Sequence, residues 1–132
     1  MGKDTRNHLL LYLNLGYALL IVYASLYPLA GWRDSGVEAL AFVGAAWPRY
    51  YTSFDLASNV FAYLPFGFLC AATLRIRLAP LAACLLATAL GASLSLGLEL
   101  VQNYLPNRVP SNLDLGCNTL GALLGAAAGA RW

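Results

Sequence analysis

Asp55, Asn59, Glu99, Gln102, Arg108, Asp114 and Asn118 are the residues of this sequence best equipped for chemistry. Asp55 and Asn59 stand four apart, as do Asp114 and Asn118, so each pair occupies one face of a helix, a turn apart. A carboxylate among amides and a guanidinium can order a polar ligand, act as a general base or hold a hard cation. Arg108 is the residue type that grips phosphate or carboxylate with two parallel N–H bonds. It is also the basic residue nearest Glu99 in sequence, so a structural Glu99–Arg108 pair is the other use of both. Asp55, Glu99 and Asp114 set against Arg108 leave a formal excess of two negative charges, to be offset by Arg49, a bound cation or protonation. Three carboxylates suit Mg²⁺ or Ca²⁺, but no linear metal motif accompanies them, and no metal site is predicted. The sequence names no cofactor. Glu99 and Asp114 are the candidates for any catalytic role.

The elements that position these residues are read from charge spacing. Of the 132 residues, 60% are hydrophobic and 11% charged, against roughly 25% charged in soluble domains. No Asp, Glu, Lys or Arg falls between Arg6 and Arg33, from Leu56 to Leu74, from Leu78 to Leu98 or from Leu115 to Ala130. A helix needs about 20 predominantly apolar residues to cross a bilayer. Four spans are therefore predicted, at about 9–27, 56–74, 78–98 and 113–130, in one all-α transmembrane domain covering 1–132. This excludes a soluble enzyme, a nucleic-acid-binding domain and a disordered chain, and these 132 residues leave no room for a large extramembrane domain. The runs are continuous rather than alternating, which speaks against a barrel. The run from Leu9 to Tyr27 exceeds the usual length of a signal-peptide core and no A-x-A-like site follows it, so it reads as a retained span. Cys70, Cys84 and Cys117 lie within apolar runs and read as small buried hydrophobes, with no disulfide.

The basic turn Arg75-Ile76-Arg77, with Lys3, Arg6 and Arg131, puts both termini in the cytoplasm by the positive-inside rule. Arg33, Arg49 and Arg108 then lie outside. The outer loop from Pro28 to Phe54 carries Trp32, Trp47, Tyr50, Tyr51 and Phe54, an aromatic belt at the interface. Ser35-Gly36-Val37-Glu38 has the form of a capping box and predicts a short interfacial helix over about Val37–Trp47. Pro65 and Gly67 interrupt the second span and predict a kink at mid-membrane. Phe54-Asp55-Leu56-Ala57-Ser58-Asn59 is echoed 59 positions later by Leu113-Asp114-Leu115-Gly116-Cys117-Asn118. Both segments open inward-running spans. An internal parallel repeat and shared capping chemistry are the two readings of that echo.

This orientation gathers the polar residues at the outer end, while His8, the only histidine, lies at the other. At 100° per residue, Gly91, Ser95, Glu99 and Gln102 share an arc of about 80°, and so do Asp114, Asn118, Gly121, Gly125 and Gly129. Small faces let helix backbones approach closely. Packing the third and fourth spans through Gly91/Ser95 and Gly121/Gly125 would bring Glu99 beside Asp114 and Asn118. The rival use of Gly121, Gly125 and Gly129 is a homodimer seam. For Asn59, Gln102 and Asn118 the plainer role is interhelical glue.

At these residues the chain resembles the VanZ-like membrane proteins. The matching elements are Asn59-Val60-Phe61-Ala62-Tyr63-Leu64-Pro65-Phe66-Gly67-Phe68, then Glu99-Leu100-Val101-Gln102, then Arg108. The last is Asp114-Leu115-Gly116-Cys117-Asn118-Thr119-Leu120-Gly121-Ala122-Leu123-Leu124-Gly125. Together they cover about half the chain, and their order and spacing carry the resemblance. An Asp-Lys-x-x-His element present in some members is missing here. The resemblance implies a small bacterial inner-membrane protein of the cell envelope, in a family whose name-giving member is associated with teicoplanin resistance.

The favoured reading is an outer polar cleft that binds an anionic lipid-linked headgroup, such as a polyprenyl-phosphate precursor or a phospholipid. Arg108 would contact phosphate, and Asp55, Glu99 and Asp114, with Asn59, Gln102 and Asn118, would order the cleft. The alternatives are an enzyme acting on such a lipid and a structural subunit packing on a membrane partner. No nucleic-acid partner is expected.

Overall fold

Four helices form where the uncharged runs lie: α1 (Lys3–Leu26), α2 (Ser53–Leu74), α3 (Pro80–Gln102) and α4 (Asn112–Gly129). The computed structural model describes residues 2–132, and no strand occurs among them. α1, α2 and α3 have 24, 22 and 23 residues and are apolar enough to cross a membrane. At 1.5 Å per residue they reach about 33–36 Å, more than the ~30 Å of hydrocarbon. α4 has 18 residues and opens with Asn112, Asp114 and Asn118.

Local chemistry sets the helix starts. Thr52 and Asp55 form a complete capping box at α2: Thr52 Oγ1 accepts from the Asp55 N–H at 3.1 Å, and Asp55 Oδ2 accepts from the Thr52 N–H at 2.8 Å. Pro80 opens α3, where its missing N–H leaves no bond unmade. α3 therefore begins two residues after the predicted Leu78, and it runs past Leu98 to Gln102. Ser111 caps α4, its Oγ accepting from the Asp114 N–H at 3.3 Å. α2 continues through Pro65.

α2 and α4 share the most extensive packing in the bundle. A Cβ on Gly121, Gly125 or Gly129 would land on the carbonyl oxygen of Val60, Leu64 or Phe68 respectively. These pairs rise together in steps of four, so the two helices run parallel and in register. The reciprocal contact is Gly67, which lies on the Ala122 carbonyl. The expected partner of the glycine ridge was α3, and the ridge instead meets α2. Positions 121 and 122 are about 100° apart on a helix, so α4 offers adjacent small faces to two neighbours. The glycines meet backbone on α2, where no Cβ fits, while Ala122 meets Gly91 of α3. On α3 the buried ladder is Ala83, Ala87, Gly91 and Ser95. A homodimer through Gly121, Gly125 and Gly129 would have to displace α2.

α1 is peripheral. It buries Leu10, Ile21 and Leu26 and leaves Leu9, Leu13, Leu19, Leu20 and Tyr23 exposed, a surface suited to hydrocarbon. Lys3, Arg6 and Arg75 share a hollow at one end of the bundle with Trp132, and the Arg6 guanidinium lies 5.7 Å from the Trp132 ring centre. Asp55, Glu99 and Asp114 gather at the opposite end.

The loop between α1 and α2 holds no helix at Val37–Trp47, contrary to the pattern of its sequence; it is a run of turns. Ser35 Oγ accepts from the Val37 N–H at 3.3 Å and Asp34 Oδ1 from the Gly36 N–H at 2.9 Å. Gly36 takes φ +74°. These local bonds compete with a helix start, and the bonds Ala41→Glu38, Val43→Leu40 and Ala45→Phe42 close four-residue turns instead. The loop is pinned to the α3–α4 connection by the Arg33 N–H on the Tyr104 carbonyl at 2.9 Å. Asn103 Nδ2 on the Val37 carbonyl and Asn112 Nδ2 on the Ala45 carbonyl add two more ties. Trp32, Trp47, Tyr50 and Phe54 remain exposed.

Candidate functional site

A cavity of ≈ 530 Å³ opens among all four helices at the carboxylate end, within the usual size range for small-ligand sites. α2 contributes Asn59 and Tyr63, α3 Glu99 and Gln102, the α3–α4 connection Arg108, and α4 Asp114 and Asn118. α1 closes one wall with Tyr17, Leu20, Ile21, Ala24 and Ser25. Six of the seven residues singled out from sequence therefore line one space. Asp55 does not: it caps α2 and borders an adjoining hollow with Arg49, Tyr50 and Tyr51.

The carboxylates are held by different means. Glu99 is 4% exposed, and its Oε2 accepts from the Ser111 N–H at 2.9 Å. Glu99 thus supplies, from a neighbouring helix, the half of the capping box that Asp55 supplies within α2. Asp114 holds the same N3 position in α4, and its side chain is released from capping. It accepts from Asn59 Nδ2 at 2.9 Å and joins α4 to α2. Asn118 is 6% exposed and donates through Nδ2 to Ser95 Oγ at 2.9 Å, joining α4 to α3. Its Oδ1 is buried without a hydrogen-bond partner. Gln102 Nε2 donates to the Ser25 carbonyl at 2.9 Å and joins α3 to α1.

Arg108 does not pair with Glu99. Its Nε donates to the Tyr27 carbonyl at 3.3 Å, and its Nη2 to the carbonyls of Ala24 and Tyr27 at 3.1 and 3.2 Å. α1 has no basic residue in its last turn. Arg108 serves there from another element, placing positive charge at the negative end of the helix dipole. Its Nη1 has no protein partner among the described residues, which leaves one edge of the guanidinium for a ligand. Within the cavity two carboxylates face one guanidinium, a formal excess of one negative charge rather than two, because Asp55 lies outside.

Sequence reasoning missed Tyr17 and Ser111 as members of this network, gave Ser95 only a packing role, and did not single out Tyr63, which lines the cavity. Tyr17 donates to the Ala62 carbonyl at 2.7 Å and ties α1 to α2. The pattern Ser111-x-x-Asp114 is a legible helix-start signal, but nothing local marks its N–H as the partner of Glu99. Among the described residues, no three His, Cys, Asp or Glu side chains gather as a metal-binding group. Cys70, Cys84 and Cys117 are free thiols.

The arrangement offers a buried face of acceptors and a cation edge in a cavity walled on one side by lipid-facing α1. That suits binding of a polar ligand. A family model described as VanZ/LLP1 matches residues 9–130. No match to the chain was found among curated proteins or among solved structures.

Proposed function

The chain belongs to the VanZ/LLP1 family, and from that premise we propose that it is a multi-pass protein of the bacterial inner membrane that binds an anionic, phosphate-bearing lipid headgroup in its outer cavity. α4 completes the bundle as a fourth crossing segment: at about 27 Å it is short for the bilayer, and its polar first turns face the cavity rather than lipid. Both termini lie in the cytoplasm, as the basic residues at their end of the bundle favour.

The observation that carries the reading is the convergence of Asn59, Glu99, Gln102, Arg108, Asp114 and Asn118 on one cavity bordered by α1. Polar groups at membrane depth are costly and mark functional sites. Arg108 presents its free Nη1 edge to phosphate, with Nε and Nη2 already anchored on α1. The acyl or polyprenyl chains lie along the exposed apolar face of α1. The cavity binds without transforming its ligand.

The test is mass spectrometry of lipid co-purified with the protein, followed by titration with phospholipids and polyprenyl phosphates. Losing a charge-assisted bond to phosphate weakens binding roughly 10- to 150-fold in Arg108→Ala. Arg108→Lys keeps the charge but not the planar set of donors that holds Arg108 on the α1 carbonyls, and falls between. Unchanged affinity in both variants removes Arg108 from the headgroup site. Turnover of the lipid that stops in Glu99→Gln replaces binding with catalysis.

A further inference from the structure

The hydrogen-bond inventory of the cavity is lopsided. Glu99 uses one carboxylate oxygen on the Ser111 N–H, and Asp114 uses one on Asn59. Each keeps an oxygen with no protein donor among the described residues. Asn118 is independent of them: it is buried and lines the same cavity, one of its two Nδ2 protons goes to Ser95, and its Oδ1 is an acceptor without a partner. A phosphate brings only acceptors and satisfies none of these three. A ligand that satisfies them brings several N–H donors and a positive charge. Water meets the donor requirement but not the charge, and a divalent cation lacks a third anionic ligand here. A primary ammonium has three N–H donors and one positive charge.

We infer that the headgroup is zwitterionic, with a primary ammonium bound by Glu99, Asp114 and Asn118 and a phosphate bound by Arg108. This rests on the phosphate-bearing headgroup reading above and revises its net charge, from anionic to zwitterionic. The phosphodiester then pairs with Arg108 and the ammonium lies between Glu99 and Asp114, so each charge of the headgroup meets an opposite one and the two carboxylates together keep one negative charge.

The experiment presents the full-length protein in detergent with four probes: phosphatidylethanolamine, phosphatidylcholine, phosphatidylglycerol and free O-phosphoethanolamine. Phosphatidylethanolamine is expected to bind roughly 10- to 150-fold more tightly than phosphatidylglycerol, the range for one lost charge-assisted interaction. Phosphatidylcholine keeps the charge but has no N–H, and is expected to fall well below phosphatidylethanolamine. In Glu99→Gln and Asp114→Asn the advantage of the ethanolamine lipid should collapse. Both substitutions keep an oxygen for Ser111 and Asn59, and unchanged melting confirms the fold. Equal binding of the ethanolamine and glycerol lipids overturns the ammonium site and leaves the headgroup reading standing. Equal binding of the choline and ethanolamine lipids also overturns the primary amine. Free phosphoethanolamine binding as tightly as the lipid keeps the ammonium site but overturns the lipid source. Binding of none of the four overturns both.

Discussion

Glu99 of α3 completes the N-cap of α4: its Oε2 accepts from the Ser111 N–H at 2.9 Å, where Asp55 closes the equivalent box within α2. The two helix starts are otherwise alike, with Thr52 and Ser111 as caps and an Asp three residues on. One borrowed carboxylate frees Asp114 to bind Asn59. A capping interaction thus becomes a link among three helices at the rim of the cavity.

Glu99→Leu leaves the Ser111 N–H buried without a partner and is expected to cost about 1–3 kcal/mol. Glu99→Gln keeps an oxygen within reach of that N–H and should lose much less. Unfolding in a denaturing-detergent titration measures both, and equal loss in the two variants would mean that the charge, not the bond, stabilises the cap.

At Gly125 a methyl group meets the Leu64 carbonyl. Gly125→Ala is expected to destabilise the bundle by about 1–3 kcal/mol, the usual range for overpacking. Gly116, on the same helix, has open space around its missing Cβ, so Gly116→Ala should be neutral or gain up to about 1 kcal/mol from helix propensity. Should Gly125→Ala keep its stability and lose only self-association, the ridge faces another copy rather than α2.

The Asn59–Asp114 bond joins the two parallel helices at 2.9 Å. A double-mutant cycle with Asn59→Ala and Asp114→Ala should return a coupling of about 0.6 kcal/mol, the average for polar contacts in membranes, and no more than about 1.7. Zero coupling would remove this bond from the packing of α2 on α4.

Ser53 and Asn107 are expected to face the periplasm, and Arg77 and Trp132 the cytoplasm. Single cysteines at these exposed positions, in a background without Cys70, Cys84 and Cys117, should react with an impermeant thiol reagent in intact cells only at 53 and 107. Labelling at 77 inverts the orientation and moves the cavity to the cytoplasmic side.

The four helices and their polar end were legible because both are local. An uncharged run of about 20 residues has few options but a helix, and the 100° advance per residue places Asp114 with Asn118 and Gly91 with Ser95 without reference to any neighbour. The capping pattern of the outer loop was legible too and misled, since Asp34, Ser35 and Gly36 satisfy one another in turns. Which face met which helix was not local. α4 carries two small faces one residue apart, and both suit close packing. Only the assembled bundle puts Gly121, Gly125 and Gly129 on the carbonyls of α2 and turns Ala122 and Asn118 toward α3. Arg108 shows the same division. Its charge and position pointed to Glu99 or to a ligand, but the free carbonyls at the end of α1 exist only where that helix stops, and the tertiary fold brings them to the guanidinium first. Periodicity fixes what a helix can present. The competition among neighbours for the same surface decides what it meets.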